Sequence, residues 1–275
     1  LIIFFAYLLL LSRLITQNQY FHVLILMIDS HCHIYFESLK NNLPSIIDNA
    51  QKNYITAFLT INTDPEDFLD HYNLIKNYQS IYISYGLHPQ NVSKTKSISR
   101  NEILNYTNID KVIGIGETGL DFYHSSEFIK EQYKNFEQHI EASIDSNLPL
   151  IIHQRNSEKE IMEVLSNYQK NHNLKVVFHC FTGTSKLKNF CLQNNYFISL
   201  SGIITFKNAI ELRKVIKDVP LSSILIETDS PYLSPVPFRG KSNQPSYVKY
   251  IAEYLSIFFN TSLTEIINVT DDNFY

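Results

Sequence analysis

The chain repeatedly places an acidic or imidazole side chain at the end of a short apolar run. The segments that do so are MIDSHCHI, IGIGETGLD, LIIHQRN, VVFHCF and LIETDSP. A short apolar run that ends in a polar residue predicts a buried parallel strand that presents a side chain at its carboxyl end. Five such strands converging on one place would form a metal site with catalytic potential. This recurrence therefore constrains the fold more strongly than any single motif.

Eight β-rich apolar runs alternate with segments of helical spacing, which predicts βαβ units and a parallel sheet. The predicted strands are His22–Ile28, Ile55–Ile61, Ile81–Tyr85, Val112–Ile115, Leu148–Ile152, Lys175–Phe178, Tyr196–Leu200 and Ile224–Ile226. The predicted helices are Ser38–Lys52, Asp67–Tyr78, Ser97–Tyr106, Ser126–Ser146, Glu158–Tyr168, Lys186–Gln193, Asn208–Lys217 and Ser246–Phe259. Eight units predict a single α/β domain, a (β/α)8 TIM-like barrel. A doubly wound open sheet is disfavoured, because it gathers ligands at one switch point and not at five strand ends.

Composition limits the classes of function. The 275 residues suffice for one large α/β domain, and the formal net charge of −4 is not that of a polyanion-binding protein. A nucleic-acid substrate would therefore be held by local basic groups or by metal. The three cysteines form no CxxC pair and are odd in number, which favours a reducing, cytoplasmic setting.

The first 26 residues require a separate interpretation. The apolar run Leu1–Leu11 is shorter than the ~20 residues needed to span a bilayer, and no basic segment precedes it as in a secretory signal. The first methionine is Met27. We therefore interpret residues 1–26 as an upstream extension in preference to an apolar anchor, assign residues 27–275 to the barrel, and expect no stable membrane association.

His31 and His33 form the first candidate pair of metal ligands. Residues two apart on a strand point to the same side, so both imidazoles can reach one ion while Cys32 points into the barrel wall. An isolated His-x-His is weak support for a metal site. Preceded by an apolar run and Asp29, and accompanied by the other strand ends, the pair predicts metal ligation.

Glu117 follows the glycine-rich run VIGIG. Alone, it would be typical of a carboxylate in a turn. At the end of the fourth strand it can instead bridge two cations through its two oxygens, and metals ~3.5–4 Å apart can orient a shared water. We therefore predict both a metal-ligating and a catalytic role for Glu117.

His153, His179 and Asp229 each end a later strand. Each histidine alone is more typical of a hydrogen-bonded core imidazole, and Asp229 before Ser-Pro could be a helix N-cap. At equivalent points of consecutive units, the two histidines predict the ligands of a second metal. Asp229 can ligate the first metal and accept the proton of the attacking water. Imidazole and carboxylate ligands suit Zn²⁺, Mn²⁺, Fe²⁺ or Ni²⁺, and a carboxylate-rich site also accepts Mg²⁺.

Six segments together resemble the TatD family of metal-dependent deoxyribonucleases, which are amidohydrolase-like barrels. They are MIDSHCHI, YGLHPQ, IGIGETGLDFY, PLIIHQRN, FHCFTG and ETDSPYLSPVPFRGKSNQPSYV, and they run from about Met27 to the end of the chain. The resemblance implies two divalent ions (Mg²⁺, Mn²⁺ or Zn²⁺). It implies one ion on His31, His33, Glu117 and Asp229 and the other on Glu117, His153 and His179. It also implies hydrolysis of DNA, often as a 3′-to-5′ exonuclease that prefers single-stranded ends.

Three further residues are predicted to bind the substrate at the barrel mouth. They are His88 in GLHP, Arg155 two residues after His153, and Arg239, which lies with Lys241 near Asp229. Arginine suits phosphate because its planar fork donates two parallel hydrogen bonds.

Aromatic and lysine residues near the ligand strands leave alternatives open. Tyr123 and Tyr232 could stack exposed bases, worth ~1–3 kcal/mol each, or cover the barrel rim, and Phe181 is better interpreted as rim. Lys186 and Lys188 are interpreted as a solvated helix face.

Two rival functions remain. An amidohydrolase-type enzyme acting on a small amide, ester or lactone could use the same barrel. Many such relatives carry a carbamylated lysine on the fourth strand, where this chain has Glu117, which weakens that alternative. A binding protein with a degenerate site is disfavoured because every expected ligand is present. The acidic net charge further predicts a short nucleic-acid footprint with a shallow salt dependence.

Overall fold

A nearly closed barrel of parallel strands forms the centre of the molecule in a computed structural model, which describes residues 26–124 and 127–275. The strands are β1 Met27–Cys32, β2 Ile55–Thr60, β3 Ile81–Tyr85, β4 Val112–Asp121, β5 Leu150–Arg155, β6 Val176–Phe178, β7 Phe197–Leu200 and β8 Ile224–Ile226. Each strand pairs in parallel with the next along the chain. β8 returns to β1, where the Asp229 amide donates to the His31 carbonyl at 2.9 Å. The predicted (β/α)8 barrel is confirmed.

Helices cover the outside of the barrel and connect successive strands. They are α1 Glu37–Lys40, α2 Leu43–Lys52, α3 Phe68–Ile75, α4 Arg100–Thr107, α5 Ile129–Ser146, α6 Glu158–Gln169, α7 Ser185–Gln193, α8 Ile210–Ile216, α9 Val248–Phe258 and α10 Leu263–Phe274. Short 3₁₀ turns lie at Pro65–Asp67, Pro89–Asn91, Gly202–Thr205, Leu221–Ser223 and Pro245–Tyr247.

The hydrophobic core lies between the strands and these helices. The helices contribute to it through apolar residues spaced one helical turn apart. On α5, Phe136 and Ile140 are one turn apart and fully buried, and the helix packs against β4. On α6, Ile161 and Leu165 have the same spacing and pack in the same way near β5. An i, i+4 apolar stripe is the face that a surface helix buries. The strands are therefore held rigidly, with their carboxyl ends left free to carry polar side chains.

Three strands extend beyond their predicted ends. β1 ends at Cys32, β4 at Asp121 and β5 at Arg155, whereas the predictions ended at Ile28, Ile115 and Ile152. The ladder between β4 and β5 continues through Gly119↔His153 and Asp121↔Arg155. Backbone pairing continues through polar residues because an unpaired buried amide is costly. His31, Glu117 and His153 therefore lie on strands, and the remaining ligands, His33, His179 and Asp229, follow within three residues of a strand end.

The helices differ from prediction in three places. The segment predicted as one helix from Ser38 is divided into α1 and α2, and Pro44 lies in the first turn of α2. A proline is accepted there because the first amides of a helix have no internal partner. Helix α10 was not predicted. The interpretation of Lys188 as solvated is wrong, because its side chain is buried and its Nζ lies 2.8 Å from Asp218 Oδ1.

The interpretation of residues 1–26 lies outside the described residues, apart from Leu26, and stays a prediction, as does the strand proposed for residues 22–25. Within the residues that the structure describes, none of the helices combines the length and the apolar character required to cross a membrane.

Candidate metal centre

The six predicted metal ligands meet at the carboxyl end of the barrel. The first group consists of His31 on β1, His33 directly after β1, and Asp229 from the segment after β8. The two Nε2 atoms of His31 and His33 are 3.3 Å apart, and His33 Nε2 lies 3.1 Å from Asp229 Oδ1. His31 Nε2 lies 3.7 Å from the same oxygen. The donor atoms thus converge on one point.

The second group is built around Glu117. Its Oε1 lies 3.0 Å from His153 Nδ1 and 2.8 Å from His179 Nε2. Its other oxygen, Oε2, faces the first group, 3.4 Å from His31 Nε2 and 3.9 Å from His33 Nε2. One carboxylate therefore presents an oxygen to each group, which is the arrangement that a bridging ligand requires.

The backbone around Glu117 depends on glycine. Gly116 has φ +136°, and a Cβ added there would lie 2.5 Å from the Ile151 carbonyl oxygen. Because only glycine adopts this conformation easily and leaves room for the neighbouring strand, β4 can bring Glu117 close to the ligands of β5 and β6. Asp229 also has a positive φ, 54°, which aspartate tolerates better than most residues.

Burial and mutual charge set the protonation states of the centre. Burial would raise the pKa of Glu117, but the His179 and His88 imidazoles more than offset it and hold that pKa well below its usual range. Burial would lower the pKa of His179, but Glu117 and Glu227 hold it well above its usual range. Burial and the neighbouring His179 lower the pKa of His31, which favours its neutral, metal-ligating form. The centre therefore combines ionised carboxylates with positive charge on His179, the kind of charge that a divalent ion would supply.

The donor set fits divalent metal ions. The ligand atoms of His31, His33 and Asp229 all lie within 4.8 Å of one another, as do those of His31, Glu117 and His179. All of these side chains are buried or nearly so. Imidazole and carboxylate donors at this density, shielded from water, suit the ions that the sequence predicts.

Asp121 orients His153 and was not singled out from the sequence. Its Oδ2 lies 3.0 Å from His153 Nε2, and it accepts a hydrogen bond from Gln90 Nε2 at 2.9 Å. His124 Nδ1 lies 2.7 Å from the same oxygen. Because a carboxylate only accepts, His153 carries a proton on Nε2 and turns Nδ1 towards Glu117. Burial would raise the pKa of Asp121, but these hydrogen bonds hold it well below its usual range.

Glu227 and Asp29 also support the centre without being predicted metal ligands, because each contacts a ligand or the segment that carries one. Glu227 Oε1 accepts from the Cys180 amide at 2.6 Å and lies 3.4 Å from His179 Nδ1. Asp29 accepts from the Thr228 amide at 2.8 Å, which ties β1 to the segment that carries Asp229. Strand periodicity could have found two of these residues, because Asp121 lies four residues after Glu117 and Glu227 two residues before Asp229.

His88 lies beside the second group, with its Nε2 3.3 Å from Glu117 Oε1. Its Nδ1 accepts a hydrogen bond from the Gln90 amide at 3.1 Å. The neutral ring therefore carries its proton on Nε2, which points at the centre. Although His88, Glu117 and His153 have the spacing of a metal group, this tautomer makes His88 a hydrogen-bond donor and not a metal ligand.

A cavity of about 1140 Å³ opens above the ligands. Arg155 lines it, and the Arg155 guanidinium lies 4.2 Å from the ring centre of Tyr123. Tyr232 also lines it and is 55% exposed. Arg239 lies 3.7 Å above the Phe206 ring and is not among the described residues that line the cavity. Phe181 is buried in the core.

Comparison with known proteins places these features in a family. The model of the family of TatD related DNases matches residues 28–275. An uncharacterized metal-dependent hydrolase of Buchnera aphidicola is 41% identical over 259 residues, covering 90% of this chain and 97% of its own. The uncharacterized metal-dependent hydrolase YcfH of Escherichia coli is 34% identical over 251 residues, covering 90% and 94%.

A solved structure supports the same placement. YJJV, a TatD homolog from Escherichia coli, superposes with a TM-score of 0.83 at 26% identity, covering 92% of this chain and 98% of its own. The Buchnera aphidicola and Escherichia coli relatives are described as metal-dependent hydrolases, and this chain belongs to the family of TatD related DNases.

Proposed function

We propose that the chain is a metal-dependent nuclease that hydrolyses phosphodiester bonds in DNA, acting from 3′ to 5′ on single-stranded ends. The observation that supports this most is Glu117, which presents one oxygen to each of two ligand groups at the floor of an open cavity. The description of the matching family as DNases supports the same substrate class.

Two divalent ions would be held by His31, His33 and Asp229 on one side and by His153 and His179 on the other, with Glu117 between them. When bound, such ions lower the pKa of water towards ~7 and neutralise charge that develops on the phosphoryl oxygens. We propose that each ion is Mg²⁺, Mn²⁺ or Zn²⁺.

Asp229 is suited to orient the attacking water and to accept its proton. Burial would raise the pKa of Asp229, but the hydrogen bond and charge of His33 keep it below the usual range, so the carboxylate is ionised at neutral pH. Asp229 is also 9% exposed, so it can be reached from the cavity. A general base within reach of the attacking water contributes typically 10²–10⁴-fold to the rate.

His88 and Arg155 are suited to position the phosphate. His88 directs Nε2–H towards the centre, where it can donate to a phosphoryl oxygen. Arg155 lies on the cavity wall, held against Tyr123, and can donate two parallel hydrogen bonds to the phosphate group next to the reacting one.

A metal-titrated substrate panel tests the proposal. The chelated protein is supplied with Mg²⁺, Mn²⁺ or Zn²⁺ and assayed on single-stranded DNA labelled at either end, beside ester, lactone and amide substrates. We expect metal-dependent release of mononucleotides from the 3′ end. Efficient turnover of a small ester, lactone or amide with DNA left intact would instead assign the amidohydrolase-type function.

Two variants test the roles of the carboxylates. Glu117→Ala is expected to abolish DNA hydrolysis, and Asp229→Asn to lower kcat by about 10²–10⁴-fold, because the general base is lost. Glu253→Ala, on the exposed side of α9, is the matched control and should leave activity unchanged. Circular dichroism checks that each variant is folded, and full activity in either site variant would refute the assigned roles.

A further inference from the structure

The two sides of the cavity differ in chemistry. The loops after β7, β8 and β1, which are neighbours in the barrel, contribute Phe36, Ile203, Tyr232 and Leu233, here called the apolar lobe. The carboxyl end of β5 and the segments that follow β3, β4 and β5 contribute Gln90, Asn91, His124, Arg155 and Lys159, here called the polar lobe. In an eight-stranded barrel β8 and β1 lie opposite β4 and β5, so the two lobes face each other across the metal ligands.

The apolar lobe offers an aromatic face beside the first ligand group. The Phe36 ring stacks on the His33 imidazole with centroids 5.0 Å apart, and Tyr232 meets Phe36 edge to face at 5.9 Å. Tyr232 lines the cavity and is 55% exposed, so its ring can be reached from the cavity. An exposed aromatic ring next to a reacting phosphate is the feature on which a nucleobase stacks.

Close packing fixes the shape of this lobe. A Cβ added at Gly202 would lie 2.0 Å from the Leu233 carbonyl oxygen. The loop that carries Ile203 therefore touches the loop that carries Tyr232 and Leu233, and the glycine permits this approach. The apolar lobe is a preformed surface.

The polar lobe lacks an open aromatic face among the described residues that line it. Tyr123, the nearest ring, is 60% exposed but is not among the lining residues, and the Arg155 guanidinium lies over one of its faces, 4.2 Å from the ring centre. The cations Arg155 and Lys159 are accompanied by Glu158 and Glu160 at the same wall. Glu158 accepts hydrogen bonds from the Thr184 amide at 2.8 Å and the Thr184 hydroxyl at 2.7 Å, which occupy both of its oxygens. The positive and negative side chains of this wall therefore nearly cancel. Such a wall suits binding of one or two phosphates and not of a long polyanion.

We propose that the site recognises a single nucleobase, on one side only of the scissile phosphate. That base stacks on Tyr232 in the apolar lobe, and the next phosphate of the strand binds Arg155 in the polar lobe. The inference rests on the proposed nuclease function and deepens it, because it places the recognised base and the next phosphate on opposite sides of the metal centre, which gives a footprint of about two nucleotides.

Abasic substitution in a short substrate tests the inference. Thymidine tetranucleotides are prepared intact, with an abasic residue at the end that is degraded, or with an abasic residue at the next position. The metal-loaded wild type should lose kcat/KM by about 5- to 150-fold, mainly through KM, on one of the two abasic substrates and about 2-fold or less on the other. This range is the fold-change that corresponds to ~1–3 kcal/mol for one stacked base.

Variants connect the lost base to Tyr232. Tyr232→Ala should show the same loss on the intact tetranucleotide and no further loss on the sensitive abasic one, whereas Tyr232→Phe, which keeps the ring, should resemble the wild type. Tyr54→Ala is the matched control, because Tyr54 is 57% exposed but precedes β2 at the opposite end of the barrel.

Arg155→Ala should raise KM on the intact tetranucleotide and leave the response to base removal unchanged. Equal sensitivity to both abasic positions, sensitivity to neither, or an undiminished abasic effect in Tyr232→Ala would overturn the inference while the nuclease function stands. A wild type that cleaves none of the three substrates with any metal would overturn both.

Discussion

At the scale of single residues, the orientation of an imidazole decides whether it can bind a metal. His153 directs Nδ1 to the centre because Asp121 holds the proton on Nε2, and Asp121 is itself fixed by Gln90 and His124. Carboxylate partners of this kind raise the basicity of a ligating imidazole, and their loss typically costs 10–100-fold in metal affinity or activity. Asp121 is therefore a positioning residue.

Asp121→Asn tests that role. The amide can still accept from His153 but carries no charge, so we expect affinity for Mn²⁺ or Zn²⁺ at one of two sites to fall by about 10–100-fold. Isothermal titration of the metal-free protein measures both sites without relying on activity. Asp48→Asn, which alters an exposed carboxylate on α2, is the control. Two unchanged binding steps in Asp121→Asn would show that His153 does not need this partner.

The sequence predicts the ligands better than their supports. His31, His33, Glu117, His153, His179 and Asp229 could be found because each follows an apolar run at a strand end. Asp121 and Glu227 share the same strand periodicity, but nothing local shows that they face an imidazole from another strand. The contact of Arg239 with Phe206 is tertiary, so its distance from the cavity lining could not be predicted from spacing.

At the scale of elements, the chain-terminal helix α10 closes the end of the barrel away from the centre. Ser262 caps it by accepting from the Glu265 amide at 3.0 Å, and Asp271 accepts from the Ile28 amide of β1 at 3.1 Å. Asp271 is partly buried, and burial, with the nearby charge of Asp272, raises its pKa from 3.8 to about 7 against the opposing effect of the Ile28 hydrogen bond.

This raised pKa predicts a pH dependence of stability. Between pH ~4 and ~7 the unfolded chain releases the Asp271 proton while the folded chain keeps it, so the free energy of unfolding should fall as pH rises through this window. Asp271→Asn removes the titration and retains an acceptor for Ile28. Its free energy of unfolding should equal that of the wild type near pH 4 and exceed it by on the order of a few kcal/mol at pH 8. Urea unfolding of the metal-free proteins measures the difference, and a gain independent of pH would contradict the assignment.

The number and order of strands could be predicted from the sequence, whereas their ends could not. Apolar periodicity identified all eight strands. However, β4 and β5 continue to Asp121 and Arg155, because their backbone pairing extends beyond the last apolar residue of the predicted strands. Helix α10 was not predicted, since its apolar residues follow α9 after a connection of only a few residues, Phe259–Ser262.

At the scale of the whole molecule, a net charge of −4 accompanies a cavity whose wall carries few cations. The protein cannot gather DNA by a general positive field, so affinity must come from the metal centre, Arg155 and stacking. Substrate binding should therefore involve few displaced counterions.

A salt titration tests this expectation. For single strands, each neutralised phosphate contributes a slope of about −0.7 to the logarithm of affinity against the logarithm of salt concentration. One or two contacts predict a slope of about −0.7 to −1.4 for kcat/KM on a single-stranded oligonucleotide, at constant metal concentration. A slope several times steeper would mean that a longer basic track, outside the cavity described here, binds the strand.

The measurement that tests the central claim most directly is anomalous diffraction from crystals of the protein loaded with Mn²⁺ or Zn²⁺. The geometry of the six ligands predicts two anomalous peaks at the carboxyl end of the barrel, one among His31, His33 and Asp229 and one between His153 and His179, with Glu117 touching both. Peaks confined to other parts of the molecule, or none at metal concentrations that support hydrolysis, would contradict it.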